Sequence, residues 1–282
     1  MSDYLFVILL GLIQGFTEFL PISSSGHLAL LENISYFHVM TSEIEKEFSL
    51  LTFNVILHIG TIMAVLIFWR KEIISIATGF FRSLATGDFN GEGFITGKTI
   101  IIATLPIIVV PFVKSYVEHA TETLGWIALF FIYNGFLLII SDFLFHRKKE
   151  SPEKEITKLT IKDALIIGFF QLSAIFPGIS RSGSTITAGL LRGMRGPEAV
   201  KFSFIMSIPV LIAAAGLELL ELKSTGLSGH IRWDWIIAGL TSSFLAGILS
   251  LKALVWLGKK VLFYPFGIYT MILGIVITIF YR

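Results

Sequence analysis

The 282-residue sequence contains no cysteine, so disulfides and cysteine-ligated metal centres are excluded and nothing marks a redox compartment. Charge is scarce as well. Asp, Glu, Lys and Arg make up 15% of the residues, against about 25% in an average soluble domain. So little charge cannot coat a surface that faces water. The chain also lacks a basic segment before its first apolar stretch, with Asp3 there instead, so a cleaved signal peptide is not expected. A net charge of +2 points to no acidic polymer, and no nucleic-acid partner is expected.

What fills the chain is apolar: 54% hydrophobic residues and a mean hydropathy of +0.81. Runs at 99–113 and 262–280 approach or reach the roughly 20 residues that cross a bilayer. An all-α polytopic membrane protein is expected, with residues 1–282 as one domain. Six transmembrane helices are read near 50–69, 99–117, 123–145, 200–219, 234–252 and 262–281. Two further apolar regions, 4–31 and 162–192, are interrupted by Pro, Gly and Ser. Each reads as a re-entrant hairpin of two half-helices. Such backbone is tolerated at membrane depth only where protein or a wet cavity surrounds it.

The two interrupted regions resemble each other. At an offset of 157, Gly11, Gln14, Phe19, Ile22, Ser23, Ser25 and Gly26 fall on Gly168, Gln171, Phe176, Ile179, Ser180, Ser182 and Gly183. Membrane composition does not readily explain matching Gly, Gln and Ser. A weaker echo at offset 149 lays Phe53, Ile56, Ile59 and Ala64 on Phe202, Ile205, Ile208 and Ala213. This is read as an internal duplication, 1–145 and 162–282, joined by a linker at 146–161. Three spans separate the two hairpins, so they enter from opposite faces as an inverted-topology repeat whose loops meet near the midplane. The connections at 70–98, 146–162, 192–201 and 252–260 hold sixteen of the 22 Lys and Arg residues. The positive-inside rule makes that side cytoplasmic, and the first hairpin then enters from outside. His58 and Asn54 are read as packing residues that could also line the cavity, and Arg192 and Arg195 as positive-inside residues.

Ionisable groups cost roughly 2.5–3.5 kcal/mol at membrane depth and usually mark function. Glu18, His27 and Arg181 stand out. Gln14 and Glu18 share a helical face, and Pro21 ends that half-helix. Ser24 and His27 then stand three apart at the start of the next. Serine before a helix often only caps it, but a cap explains neither the carboxylate nor the histidine. In the second hairpin, Gly178 and Gly183 admit close backbone approach, while Ser180, Ser182, Ser184 and Thr185 offer hydroxyls. Arg181 offers a fork of donors suited to phosphate oxygens, or pairs with Glu18 to hold the repeats together. Free N–H groups at helix starts add to an anion site. Ser23, Ser25, Gly26 and the symmetry mates Gln14 and Gln171 complete the candidate set. A lipid phosphate or diphosphate handled inside the membrane is the substrate this chemistry suggests.

At these residues the sequence resembles the bacterial undecaprenyl-diphosphate phosphatases, the bacitracin-resistance proteins. The resemblance covers essentially the whole chain and rests on Gln14 to His27 and on Pro177 to Thr185. It implies hydrolysis of undecaprenyl diphosphate to the monophosphate and phosphate, recycling the carrier lipid for peptidoglycan synthesis and conferring bacitracin resistance. It also implies a bacterial plasma-membrane location, lipid as partner, and a divalent metal ion, Mg or Ca. A homodimer is admitted, though nothing in the sequence selects it. The motif residues fall on Glu18, Ser24, His27 and Arg181. Many members carry glutamate at Gln14, so here Glu18 is the one carboxylate left for a metal, with Gln14 and the substrate phosphates beside it.

The expected mechanism has Arg181 and helix-start amides hold the terminal phosphate, Ser24 attack, and His27 act as base and then acid. Glu18 would orient His27 or hold the metal. Water activated by His27 is the competing route. The alternative class is a transporter or flippase of a phosphate or lipid phosphate, since inverted repeats with broken helices also build carriers. Catalysis is expected toward the outer face.

Overall fold

A computed structural model describes residues 3–32, 50–121, 123–147, 154–225 and 232–280. Among these residues no strand forms, and one parallel bridge joins Lys154 to Met194. The helices are α1 (Asp3–Phe19), α2 (Ser24–Glu32), α3 (Leu50–Phe68), α4 (Arg70–Thr86), α5 (Glu92–Thr104) and α6 (Val110–Thr121). Then follow α7 (Leu124–Arg147), α8 (Ile161–Ser173), α9 (Arg181–Leu191), α10 (Gly196–Thr225), α11 (Trp233–Lys260) and α12 (Tyr264–Phe280). Among the described residues, four stretches are long and apolar enough to cross a membrane: Glu92–Val113, Leu124–Arg147, Gly196–Leu217 and Trp233–Lys260. Tyr4–Phe19, Val55–Phe68 and Tyr264–Phe280 are shorter apolar helices. The protein is an all-helical, multi-pass membrane protein.

Two details differ from the sequence reading. The span expected at 99–117 begins earlier, at Glu92, and is interrupted by a 3₁₀ turn at Leu105–Val109. Pro106 and Pro111 explain the interruption, because neither has an N–H for the helical ladder. The connection at 70–98 contains a helix of its own, α4, which folds back on α5 with Phe80 stacked on Phe94 at 5.3 Å. Of the expected linker, residues 148–153 lie outside the described residues.

Lipid gives helices no hydrophobic reason to associate, so close backbone approach has to do it. Gly11 and Gly15 of α1 lie directly against Ser242, Ser243 and Ala246 of α11, and Ser250 Oγ donates to Gly15 O at 3.1 Å. Gly135 of α7 and Gly267 of α12 are likewise in mutual backbone contact. Larger side chains fill the centre. Phe19, Phe202, Phe204, Ile167, Ile186 and Leu254 are fully buried there, with Phe19 edge-on to Phe204 at 5.5 Å.

The basic end is fastened by Asp163, whose side chain is 0% exposed. Its Oδ1 accepts from Arg192 Nε at 2.6 Å, and its Oδ2 accepts from Lys154 Nζ and the Thr160 N–H at 3.0 Å each. Thr160 returns a capping-box bond to the Asp163 N–H. One carboxylate thus joins the start of α8, the end of α9 and the incoming chain. Burial by itself would raise the Asp163 carboxyl, but the Thr160 N–H and the Arg192 and Lys154 cations hold it well below the usual carboxylate range.

Candidate active site

The site forms where two interrupted elements meet. Helix α1 ends at Phe19, and α2 starts at Ser24 after a tight turn. Helix α8 ends at Ser173, and α9 starts at Arg181 after a loop containing Pro177 and Gly178. Ser23 has φ 71°, a left-handed conformation uncommon outside glycine, and Gly178 has φ 104°. The two turns touch through their backbones. A Cβ on Gly26 would collide with Gly178 N and with the Phe131 ring. Gly178 is hemmed in by Gly26 and by Ile127 O of α7, so its close approach is to protein.

Corresponding serines do the same work in both turns. Ser23 Oγ accepts from Gly26 N at 3.3 Å, and Ser180 Oγ accepts from Gly183 N at 3.1 Å. Each caps the helix it precedes. Each also pairs with the hydroxyl two residues on, Ser23 with Ser25 at 3.4 Å and Ser180 with Ser182 at 3.1 Å. Ser23 Oγ further accepts from Gly178 N at 3.0 Å, tying the first turn to the second. For Ser23 and Ser180 the capping role weighed from the sequence is the one the geometry displays. Thr185 faces inward, bonding Arg181 O and, at 2.6 Å, Ser203 Oγ of α10.

Glu18, Ser24 and Arg181 do come together. Arg181 Nη2 donates to Glu18 Oε1 at 2.8 Å, and Ser24 Oγ donates to Glu18 Oε2 at 2.7 Å. Gln14 Nε2 donates to the same Oε2 at 3.3 Å. Both sides of the ion pair are largely buried, and Arg181 Nη1 and Gln14 Oε1 are buried without a partner. Glu18, Ser24 and Arg181 border a cavity of about 150 Å³ that Thr17, Ser25 and Ile179 also line. A roomier cleft of about 420 Å³ lies at the basic end among Lys71, Glu92, Arg195 and Glu198. Ser75 and the Arg195–Glu155 pair line it too, but that pair is 40% and 48% exposed whereas Arg181 and Glu18 are 15% and 8% exposed, so the small cavity is the candidate chemical centre.

His27 is placed differently from the expectation. It forms no hydrogen bond with Ser24. Its Nδ1 bonds Ser23 O at 2.7 Å, and its Nε2 bonds Tyr269 Oη of α12 at 2.7 Å. The nearest acceptor for the Ser24 proton is therefore Glu18. Gln171 is buried on α8 with neither amide atom partnered, and it makes no bond to the opposing turn. His58 lies within electrostatic reach of Glu18, while the Asn54 side chain lies outside the described residues.

Two residues of the site were not read from the sequence. Asn134 of α7 is fully buried; its Nδ2 donates to Pro21 O and its Oδ1 accepts from Ser180 N, both at 3.0 Å. It bolts one turn to the other. Its signal was available, a lone amide in the apolar run FIYNGFLL. Tyr269, in contrast, lies 242 residues from its partner His27.

The donor set was also tested against the divalent ion that the resemblance implies. Both Glu18 oxygens are engaged by Arg181, Ser24 and Gln14, and no group of three His, Cys, Asp or Glu residues able to hold a metal occurs among the described residues. These side chains do not form a protein cage for such an ion.

The chain matches the profile of a family described as "Bacitracin resistance protein BacA" over residues 7–276. It is 35% identical over 278 residues to a protein of Chromohalobacter salexigens named "Undecaprenyl-diphosphatase", covering 98% of each chain. A protein of the same name from Hahella chejuensis is 37% identical over 273 residues, 96% of each chain. Another, from Methanococcus vannielii, is 36% identical over 254 residues, 89% of this chain and 91% of its own.

Proposed function

The chain belongs to the bacitracin resistance protein BacA family, and from that premise we propose that it is an undecaprenyl-diphosphatase. It hydrolyses undecaprenyl diphosphate to undecaprenyl phosphate and inorganic phosphate, returning the lipid carrier to cell-wall synthesis and conferring bacitracin resistance. The observation that carries this reading is the convergence of Ser24, Glu18 and Arg181 on one small cavity, although Glu18 and Arg181 stand 163 residues apart in the chain.

Phosphoryl transfer depends on positioning and on neutralising the charge of the transferred group. Arg181 meets the terminal phosphate with Nη1, which has no partner in the protein. The cavity suits one phosphate group, leaving the prenyl chain outside in lipid. Ser24 Oγ attacks phosphorus as Glu18 Oε2, 2.7 Å away, takes its proton. The P–O bond to undecaprenyl phosphate breaks, and that product leaves. Water then attacks the phosphoserine with its proton passing to His27, and Glu18 returns a proton to Ser24 as phosphate departs. A divalent ion would draw its ligands chiefly from the diphosphate, since both Glu18 oxygens are already engaged. Ser25, Gly26, Ser182 and Gln171 border or support the phosphate region.

The same reading places the two interrupted elements as re-entrant hairpins entering a bacterial plasma membrane from opposite faces, with the site toward the outer face. The paired serine caps of the two turns support the duplication. The test is phosphate release from a prenyl diphosphate by purified protein in detergent. Arg181→Ala should lose nearly all turnover, and Ser24→Ala should abolish a trappable phosphoserine. Wild-type rates in either variant refute the role assigned to that residue.

A further inference from the structure

His27 is the one ionisable residue of the site with both ring nitrogens engaged, and its partners determine its protonation pattern. Ser23 O is a carbonyl and can only accept, so Nδ1, 2.7 Å away, carries the ring proton. In the neutral ring Nε2 is then the basic nitrogen, with its lone pair in the ring plane. Tyr269 Oη lies 2.7 Å from Nε2 and must donate to it. The two rings are nearly parallel, 12° apart with centroids at 5.7 Å, and the Phe131 ring stands edge-on to the imidazole at 5.2 Å on another side. Tyr269 comes from α12, an element without any other residue among the site groups described above.

We infer that Tyr269 is a positioning residue for His27, fixing both its tautomer and the direction of its basic nitrogen through the Tyr269 Oη–Nε2 bond. The imidazole is held by a carbonyl on one edge, a hydroxyl on the other and an aromatic ring alongside. It cannot flip without breaking two hydrogen bonds. Nε2 has a single lone pair and the Tyr269 hydroxyl donates to it, so the proton of water arrives through that hydroxyl: the Oη proton moves to Nε2 as Oη takes the proton from water. The hydroxyl is suited to this because it can turn from donor to acceptor once Nε2 has taken a proton. The two residues then stay bonded through the proton cycle. Tyr269 is itself 44% exposed, so the pair is not sealed inside the helix bundle.

This inference rests on His27 taking part in the reaction, and the test separates the two. Steady-state rates of phosphate release would be measured for Tyr269→Phe, His27→Ala and the double variant. Phenylalanine keeps the stacked ring and removes only the hydroxyl. A general base contributes about 10²–10⁴-fold, and mispositioning it should forfeit part of that, a 10- to 100-fold loss in kcat with KM unchanged. The double variant should be no slower than His27→Ala alone, because Tyr269 acts only through His27. A wild-type kcat in Tyr269→Phe overturns the inference, as does a double variant in which the two losses multiply. A wild-type rate in His27→Ala instead overturns the assignment of His27. If Tyr269→Phe does not fold, nitrogen-15 NMR of the histidines in the unaltered protein decides, with the His27 signal identified by its loss in His27→Ala. A neutral His27 protonated at Nδ1 is expected, and a proton on Nε2 refutes the inference.

Discussion

Replacing Asn134 with leucine tests whether the site is assembled by a side chain that touches no substrate. Leucine keeps the branching and heavy-atom count of asparagine with bulkier methyl tips, so no cavity opens and the change removes the amide's two short hydrogen bonds together with its 3.5 Å contact to Thr270 Oγ1. Those bonds, both 3.0 Å, satisfy Pro21 O in one turn and Ser180 N in the other, and Asn134 is 0% exposed. Without the amide, a carbonyl and an N–H remain buried and unpaired, each costing about 1–3 kcal/mol, so the loss should be about 2–6 kcal/mol. At roughly 2–4 °C per kcal/mol for a chain of this size, thermal unfolding in detergent should come down by roughly 4–24 °C. Activity should fall below the unfolding temperature as well. Ser180 caps the helix that begins with Arg181, and Pro21 lies in the turn that leads into Ser24. Releasing either turn moves one half of the Glu18–Ser24–Arg181 set against the other, and kcat should drop more than KM rises. The assay pairs a thermal unfolding curve with phosphate release on the same preparation. Wild-type unfolding and wild-type kcat in Asn134→Leu would refute the claim that this amide joins the two turns.

Gly26→Ala should lower both stability and kcat, since its Cβ would meet Gly178 N and the Phe131 ring; overpacking of that kind costs about 1–3 kcal/mol, read by unfolding temperature. Asp163→Asn should unfold more readily at neutral pH while leaving KM for the diphosphate unchanged. The depressed Asp163 carboxyl contributes its full stabilisation above the ordinary carboxylate value near pH 4 and loses it as pH falls below, so acid unfolding should be less steep in the variant. Because the chain has no cysteine, a single Leu28→Cys substitution reports sidedness cleanly. An impermeant maleimide should label it from outside, and labelling from the cytoplasm alone would reverse the proposed orientation.

Much of the architecture was legible in the sequence because membrane helices are defined by composition over long windows. The helices α7, α10 and α11 coincide closely with apolar runs whose ends are marked by charge. The interruptions were legible too, since Pro21, Pro177 and Gly178 act on the backbone locally. Glu18, Ser24 and Arg181 were found as polar residues where polar residues are costly. Partnership was not legible. Ser24 was paired with His27 by helical spacing, yet the Ser24 hydroxyl turns to Glu18 across the turn, and His27 is claimed by a tyrosine from the far end of the chain. Spacing places side chains on a common face but says nothing about competitors from other elements. Ser23 and Ser180 read as ligands for phosphate because a hydroxyl at a helix start can serve substrate or cap, and only the coordinates distinguish Gly26 N and Gly183 N as their partners. The α4 helix was hidden because its mixed charged and apolar residues resemble a loop in a hydropathy profile.

The residue that follows each serine cap has a consequence of its own. After Ser23 stands Ser24, and after Ser180 stands Arg181, the same position in two copies of one turn. In a symmetric pair of identical chains that position would hold one residue type twice. Two serines would supply hydroxyls and no cation for the phosphate; two arginines would supply cations and no nucleophile, with their charges facing each other. Only when the two copies are free to differ, as they are on this single chain, can the position diverge, giving a hydroxyl to one turn and a guanidinium to its mate, with Glu18 between them. On the proposed duplication, divergence of the two copies is then a chemical requirement of this site.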